Sequence, residues 1–127
     1  MRNLVKTLLM LARLLVAAQV ILGLLIWFGP MVSLTQLHIA LGSLFVLDLW
    51  LLAAIALFAL PARGLSLFTL LLGAVIMWFG VAQRTMLLGD LHWAVRVVHL
   101  LLGISGMALA EPLSKALLAH YSSRVSS

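Results

Sequence analysis

Two histidines stand in matching surroundings far apart in the chain. His38 and His99 each open a stretch of the form His-x-x-Leu-Gly, which ends at Gly42 and at Gly103. In a helix, a residue four positions on lies one turn further along the same face, so each glycine leaves room beside its histidine. Imidazoles from two helices can ligate a haem iron from opposite sides. The pattern therefore predicts a cofactor site for haem b with His38 and His99 as the metal ligands.

Two other interpretations fit the same residues. A histidine can also ligate the magnesium of a chlorophyll-type pigment. Glycine stripes also let transmembrane helices pack closely with no cofactor, and a histidine inside a membrane can hydrogen-bond a neighbouring helix. The chain has no cysteine, which excludes disulfides and thiolate metal ligands. The residue pattern by itself leaves haem, another pigment and no cofactor open.

The composition indicates that the elements holding these histidines lie in a membrane. Of 127 residues, 65% are apolar and 9% are charged, and the mean hydropathy is +1.27. A soluble domain carries about 25% charged residues, so this chain has too little polar surface for a water-facing globule. Apolar runs in lipid must satisfy their own backbone hydrogen bonds, and helices do so. We therefore predict an all-α fold, an integral membrane four-helix bundle.

The predicted domain is a single unit over residues 1–121. Turn-forming or polar stretches near residues 29–30, 61–64 and 83–90 separate the apolar runs. Pro112 is expected to kink or end the last helix, with a short interfacial tail after it. The spans are predicted at residues 4–28, 34–60, 65–82 and 91–110, and a frayed C-terminus is predicted at 122–127.

The basic residues predict the orientation of the bundle. An excess of Lys and Arg marks the cytoplasmic side of a membrane protein. Four spans place both termini on one side, which also collects most of the basic residues: Arg2, Lys6, Arg63, Lys115 and Arg124. We expect both termini in the cytoplasm of a prokaryotic cell, and lipid headgroups rather than nucleic acid as the partners of these charges. His38 and His99 then share one depth in the outer leaflet.

The two halves of the chain resemble each other. Trp27-Phe28-Gly29 matches Trp78-Phe79-Gly80, and each match precedes one of the His-x-x-Leu-Gly stretches. Two matched elements in the same order favour a duplicated helical hairpin. Ligands often bind at the interface between such repeats. Gln19 and Gly23 in span 1, and Gly73 and Gly80 in span 3, are further small or polar residues that could face this interface.

Three polar residues lie at the outer ends of the spans. Arg96 is three residues before His99, and Arg84 lies at the same end. Guanidinium groups suit carboxylates such as haem propionates, although both arginines could simply be interfacial. His92 is seven residues before His99 and is an alternative ligand or propionate partner. His120 lies in the tail at the other end, where we expect it to be solvated.

Two charges fall inside the predicted spans. Arg13 is in span 1 and Asp48 is in span 2. An isolated charge within a membrane is costly, and pairing lowers the cost. We predict an Arg13–Asp48 ion pair, with a proton or quinol site as the alternative.

Several short stretches of the sequence resemble one four-helix half of the haem A synthase family. They are the two stretches that begin at His38 and His99, the Gln19–Gly23 element, and Val98 to Gly103. The resemblance implies a membrane bundle that binds a b-type haem through histidines on its second and fourth helices. By position these are His38 and His99. The family has a glutamate three residues before the second-helix histidine, where this chain has Thr35. The resemblance therefore implies haem ligation, as in related small membrane b-type cytochromes, rather than synthase activity.

These features predict an electron-transfer protein rather than an enzyme in its own right. We expect a membrane cytochrome b with one haem near the outer leaflet, receiving electrons from a quinol or a partner subunit. One haem does not bridge the whole membrane, so a homodimer or a subunit of a larger complex is expected. The alternatives are an accessory subunit without a cofactor and an enzyme that modifies haem.

Overall fold

A computed structural model describes residues 1–29, 31–87 and 89–124, and it shows four long helices with no strand among these residues. Each helix is long and apolar enough to cross a membrane, so the predicted all-α four-helix membrane bundle is confirmed. The first three predicted spans agree with the helices to within two residues at each end. The helices are α1 Arg2–Phe28, α2 Thr35–Ala59, α3 Gly64–Ala82 and α4 His92–Ser123.

The connections are short and follow the turn-forming residues. α1 ends at Phe28 with Gly29 as its C-cap, and a 3-10 turn at Val32–Leu34 leads into α2. A second 3-10 turn, Gln83–Thr85, follows α3. Gly89 has a φ of 98°, a left-handed conformation that glycine adopts without steric cost. This turn reverses the chain into α4.

The fourth helix is longer than predicted. α4 runs through Pro112 to Ser123, so of the two predicted alternatives, a kink or an end at Pro112, the end is wrong, and residues 125–127 of the predicted frayed C-terminus lie outside the described residues. Proline removes one helical hydrogen bond and tends to end a helix. Here Ala110, Leu113 and Leu117 around it are almost completely buried. Their packing against the other helices outweighs the local cost of the proline, whose own ring is exposed.

The helices form an up-and-down bundle in which α2 and α4 run parallel. Each helix packs on its two neighbours, and α2 also contacts α4 across the diagonal. Among the described residues, α1 and α3 do not meet. The pair of helices that carries the two histidines is therefore the closer diagonal.

One half of the bundle is tightly packed. Its buried cluster lies toward the chain termini and draws mainly on α1, α2 and α4. Gly106 allows this packing, since a Cβ there would lie 3.0 Å from Leu49 Cδ1 and 3.1 Å from Phe45 Cε1. The cluster comprises Val5, Leu8, Ala12, Leu15, Phe45, Val46, Leu49, Leu52, Ala53, Ala56, Ile76, Ala110, Leu113 and Leu117.

The two charges inside the spans do not pair with each other. Arg13 Nε donates to Glu111 Oε1 at 2.7 Å, and Arg13 Nη2 lies at the same distance from that oxygen. The Arg13 side chain is 57% exposed at the α1–α4 boundary, whereas Asp48 is only 2% exposed. The predicted Arg13–Asp48 pair is therefore wrong, because Arg13 turns outward and Asp48 faces the interior. Neither Asp48 oxygen has a hydrogen-bond partner among the described residues.

An aromatic belt marks the other end of the bundle. Trp27, Trp78 and Trp93 lie near the ends of three helices there, and Trp78 and Trp93 are exposed. Tryptophan concentrates at membrane–water interfaces. Gly23 is one helical turn before Trp27 and faces His38, which places that histidine roughly 6 Å below the belt.

Candidate functional site

His38 and His99 face each other inside the bundle. His38 is in the second turn of α2, and His99 is in the third turn of α4. Since these helices are parallel and touch across the diagonal, both side chains reach the bundle centre. Their ring centroids are 6.1 Å apart, and the ring planes make an angle of 58°. The structure thus brings the two predicted ligands together.

Neither imidazole has a hydrogen-bond partner among the described residues. Nδ1 of both rings is buried and unpaired. Buried polar groups in native proteins are nearly always hydrogen-bonded, and each exception calls for an explanation. The interpretation in which these histidines hold neighbouring helices by hydrogen bonds therefore has no support in the geometry.

One glycine lies beside each imidazole ring: Gly23 of α1 beside His38, and Gly80 of α3 beside His99. A Cβ at Gly23 of α1 would lie 3.5 Å from His38 Cε1, and one at Gly80 of α3 would lie 3.4 Å from His99 Cε1. Any longer side chain at either position would reach the imidazole. Small residues on α1 and α3 therefore keep the space around both rings clear.

The repeat has a different register from the one predicted. The counterpart of Gly80 at the site is Gly23, whereas Gly29 caps the end of α1 near Leu25 O. The two Trp-Phe-Gly matches thus occupy different structural positions. Gly73, also expected at the interface, faces Trp50 of α2, whose indole Nε1 donates to Leu70 O at 3.1 Å. It serves helix packing and does not line the site.

All four helices line a cavity of about 380 Å³ around the histidines. Among the described residues that line it, none is Asp or Glu. Phe79 stacks on His99: the two rings are nearly parallel, with centroids 6.1 Å apart. In the sequence, Phe79 was named only as part of the Trp78-Phe79-Gly80 match, and this contact with His99 was not predicted. The polar and small lining residues are Gln19, Gly23, Thr35, His38, Gly42, Ser43, Gly80, Gln83, Arg84, His92, Arg96, His99 and Gly103.

The predicted polar residues lie at the mouth of the cavity. Arg84 and Arg96 both line it, are exposed, and pair with no carboxylate among the described residues. The Arg96 guanidinium lies 5.8 Å from the centroid of the Trp27 ring. His92 Nδ1 is 3.1 Å from Met86 O. The structure therefore places His99, rather than His92, opposite His38.

The two glycines one turn below the histidines have different neighbours. A Cβ at Gly42 would lie 3.3 Å from Gln19 Nε2, and this nitrogen donates to His38 O at 2.7 Å. A Cβ at Gly103 would meet no atom within 4 Å. Gly42 therefore makes room for the Gln19 amide, and Gly103 borders open space.

A metal held by side chains alone would need more ligands than this site provides. No group of three or more His, Asp or Glu side chains that could hold a metal ion occurs among the described residues. The two histidines suit a metal whose other ligands come from a macrocycle, as in bis-histidine haem.

Comparison with known proteins identifies no relative. The chain matches no protein-family model, no curated protein and no solved structure. The resemblance to haem A synthases therefore rests on the residues quoted above, and the function is argued from the site.

Proposed function

We propose that this protein is a membrane b-type haem protein in which His38 and His99 are the axial ligands. The observation that carries the proposal is the pair of unpaired imidazoles that face each other across the cavity. The two ring centroids are 6.1 Å apart, and histidines from two helices that face each other in this way can hold a haem between them.

The surrounding residues fit the other parts of a haem. Gly23 and Gly80 clear space beside the rings on α1 and α3. Arg84 and Arg96 offer guanidinium groups at the mouth, where haem carboxylates would find charge-assisted hydrogen bonds. The rest of the lining is mainly apolar, which suits the macrocycle.

The proposed role is electron transfer. When bound, a six-coordinate haem would supply a one-electron couple between ferric and ferrous iron. None of the described lining residues is Asp or Glu, and Thr35 stands where the haem A synthase family has a glutamate. This favours electron transfer over the haem-modifying alternative. The position near one membrane face favours exchange with a lipid-soluble quinol or with a partner subunit, and a homodimer or larger complex would complete the path.

The test is an absorption spectrum of the detergent-purified protein, oxidised and dithionite-reduced, after supplementation with haem. We expect sharp reduced α and β bands that are lost in His38→Ala and in His99→Ala. His92→Ala and His120→Ala are the matched controls and should keep the bands. Added imidazole should restore a low-spin spectrum in the first two variants, which separates a lost ligand from a misfolded protein.

Three outcomes would contradict the proposal. Absence of a haem spectrum after supplementation would leave an accessory helical subunit as the better account. Bands that survive in both His38→Ala and His99→Ala would show that the haem sits elsewhere. A bound pigment without a redox-dependent spectrum would instead indicate a magnesium tetrapyrrole.

A further inference from the structure

The cavity is built from two halves related by an approximate twofold axis along the bundle. One half contains Gly23, His38 and Gly42, and the other contains Gly80, His99 and Gly103. In each half the first glycine faces the ring, and the second lies one turn below the histidine on its own helix. A ligand between the two histidines therefore meets similar walls on both faces.

This symmetry bears on how a haem could bind. Haem b carries its methyl and vinyl groups in a different order along its two edges, so it can enter a pocket in two orientations related by half a turn about an axis in its plane. With the haem carboxylates at the mouth, where Arg84 and Arg96 lie, that axis would run along the bundle and would relate the two halves of the cavity. In a fully symmetric pocket the two orientations would have equal energy, and only the residues that break the symmetry can select one.

Gln19 breaks the symmetry most directly. It lies four residues before Gly23, and the residue four before Gly80 is Ile76. The Gln19 amide fills the space beside Gly42 and donates to His38 O. The Ile76 side chain instead packs toward the tightly packed half of the bundle, with its Cδ1 3.1 Å from the position of a Cβ on Gly106.

The result is a pocket with its free space on one side. The Gln19 amide atoms lie 3.3 to 3.7 Å from the position of a Cβ on Gly42, and nothing lies within 4 Å of the position of a Cβ on Gly103. The Gln19 Oε1 accepts no hydrogen bond from the described residues, so the crowded side also presents a polar acceptor. The two orientations of a haem place the vinyl and methyl groups of each edge in a different order, so they would meet the crowded side and the open side differently.

We propose that Gln19 makes the site select one of the two orientations of an unsymmetrical haem. This inference rests on the proposed haem function. Gln19 is then a specificity-determining residue that touches the cofactor edge without ligating the iron. Its replacement should change which orientation is bound and leave both axial ligands in place.

The experiment is proton NMR of the oxidised, haem-loaded protein, in which each orientation gives its own set of shifted haem methyl signals. We expect the wild-type protein to show one set in excess by at least about 10:1, which corresponds to about 1.4 kcal/mol. Gln19→Ile makes both halves carry isoleucine and should move the ratio toward 1:1. Gln36→Ala, an exposed α2 residue outside the cavity, is the control and should keep the wild-type ratio.

A second cofactor separates orientation from other causes of doubled signals. A haem whose substituents are symmetric about the exchange axis should give one set in every variant. Two equal sets in the wild-type protein with haem b, or a single unchanged set in Gln19→Ile, would overturn the inference while the haem function stands. Failure to bind haem at all would be seen first in the absorption spectrum and would overturn both proposals.

Discussion

Two glycines on the same helix should respond in opposite ways to replacement by alanine. Gly103 borders the open cavity, and Gly106 lies three residues further on, inside the packed half. A methyl group on Gly103 would meet no atom within 4 Å, so Gly103→Ala should not destabilise the cofactor-free protein. The higher helix propensity of alanine could even add up to about 1 kcal/mol.

The same methyl group should interfere with a bound haem. If the macrocycle occupies the space beside Gly103, the added atom overpacks it, and overpacking typically costs about 1–3 kcal/mol. That range corresponds to an increase of about 5- to 150-fold in the Kd for haem. Gly103→Leu should abolish binding, because its side chain would fill much more of the cavity.

Gly106→Ala should show the reverse pattern. Its Cβ would lie 3.0 to 3.1 Å from the side chains of Leu49, Ile76 and Phe45. These neighbours are buried and must shift, so we expect a loss of about 1–3 kcal/mol in the free energy of unfolding. Gly106 does not line the cavity, but Phe45 and Ile76 do, so Gly106→Ala should act first on the free energy of unfolding and only through these two neighbours on haem affinity.

Haem affinity would be measured by absorbance titration in detergent, and unfolding by far-ultraviolet circular dichroism in mixed micelles. The reasoning would be refuted if Gly103→Ala destabilised the cofactor-free protein as much as Gly106→Ala. It would equally be refuted if Gly103→Leu bound haem with wild-type affinity, because the open space would then not be the binding site.

Two further predictions concern the packed half. Gly73→Ala places a methyl group on the Trp50 indole and should lower the free energy of unfolding in mixed micelles by about 1–3 kcal/mol. Adding Trp50→Phe to the same chain should restore part of this loss. Purely additive effects of the two substitutions would count against the contact. The Asp48 side chain is buried, and neither of its oxygens has a hydrogen-bond partner among the described residues. Asp48→Leu keeps the branched shape without the polar atoms, so it should raise the free energy of unfolding by about 1–3 kcal/mol. A destabilised variant would show that the carboxyl group has a partner or a function.

The fold could be predicted because its main cause is local in the sequence. Long apolar runs with few charges form helices in lipid, and the stretches that interrupt them set the first three helices to within two residues. The end of α4 could not be predicted this way. Pro112 is a local helix-breaking signal, and the burial of Leu113 and Leu117 that overrides it depends on three other helices.

The site was predictable in part for a similar reason. The repeated His-x-x-Leu-Gly pattern placed His38 and His99 at matching points of two parallel helices, and the structure brings their rings together. The residues of α1 and α3 that lie beside the two histidines were harder to predict, because the side of a helix that faces a neighbour depends on the rotation of the helix about its axis. The Trp-Phe-Gly match aligned Gly29 in the first half of the chain with Gly80 in the second half. In the structure it is Gly23, and not Gly29, that lies beside a histidine as Gly80 does.

The charged pair shows the same limit more clearly. Arg13 and Asp48 were matched by depth and opposite sign, which are properties of the sequence. Arg13 instead turns outward and reaches Glu111 on α4. The span predicted at residues 91–110 left Glu111 outside the membrane helices, so it was not considered as a partner for Arg13.

The division of the bundle into a packed half and an open half explains how so short a chain could present a pre-formed cofactor site. α2 and α4 already contact each other in the packed half, where Gly106 lets Leu49 and Phe45 approach the α4 backbone. That contact sets the spacing of the two helices two turns below the histidines. The separation of the rings is therefore a consequence of apolar packing that needs no cofactor. A site whose ligands are held in place in advance loses less conformational freedom on binding. Gly103→Ala should therefore change haem binding without changing this packing, because a methyl group there meets no atom within 4 Å.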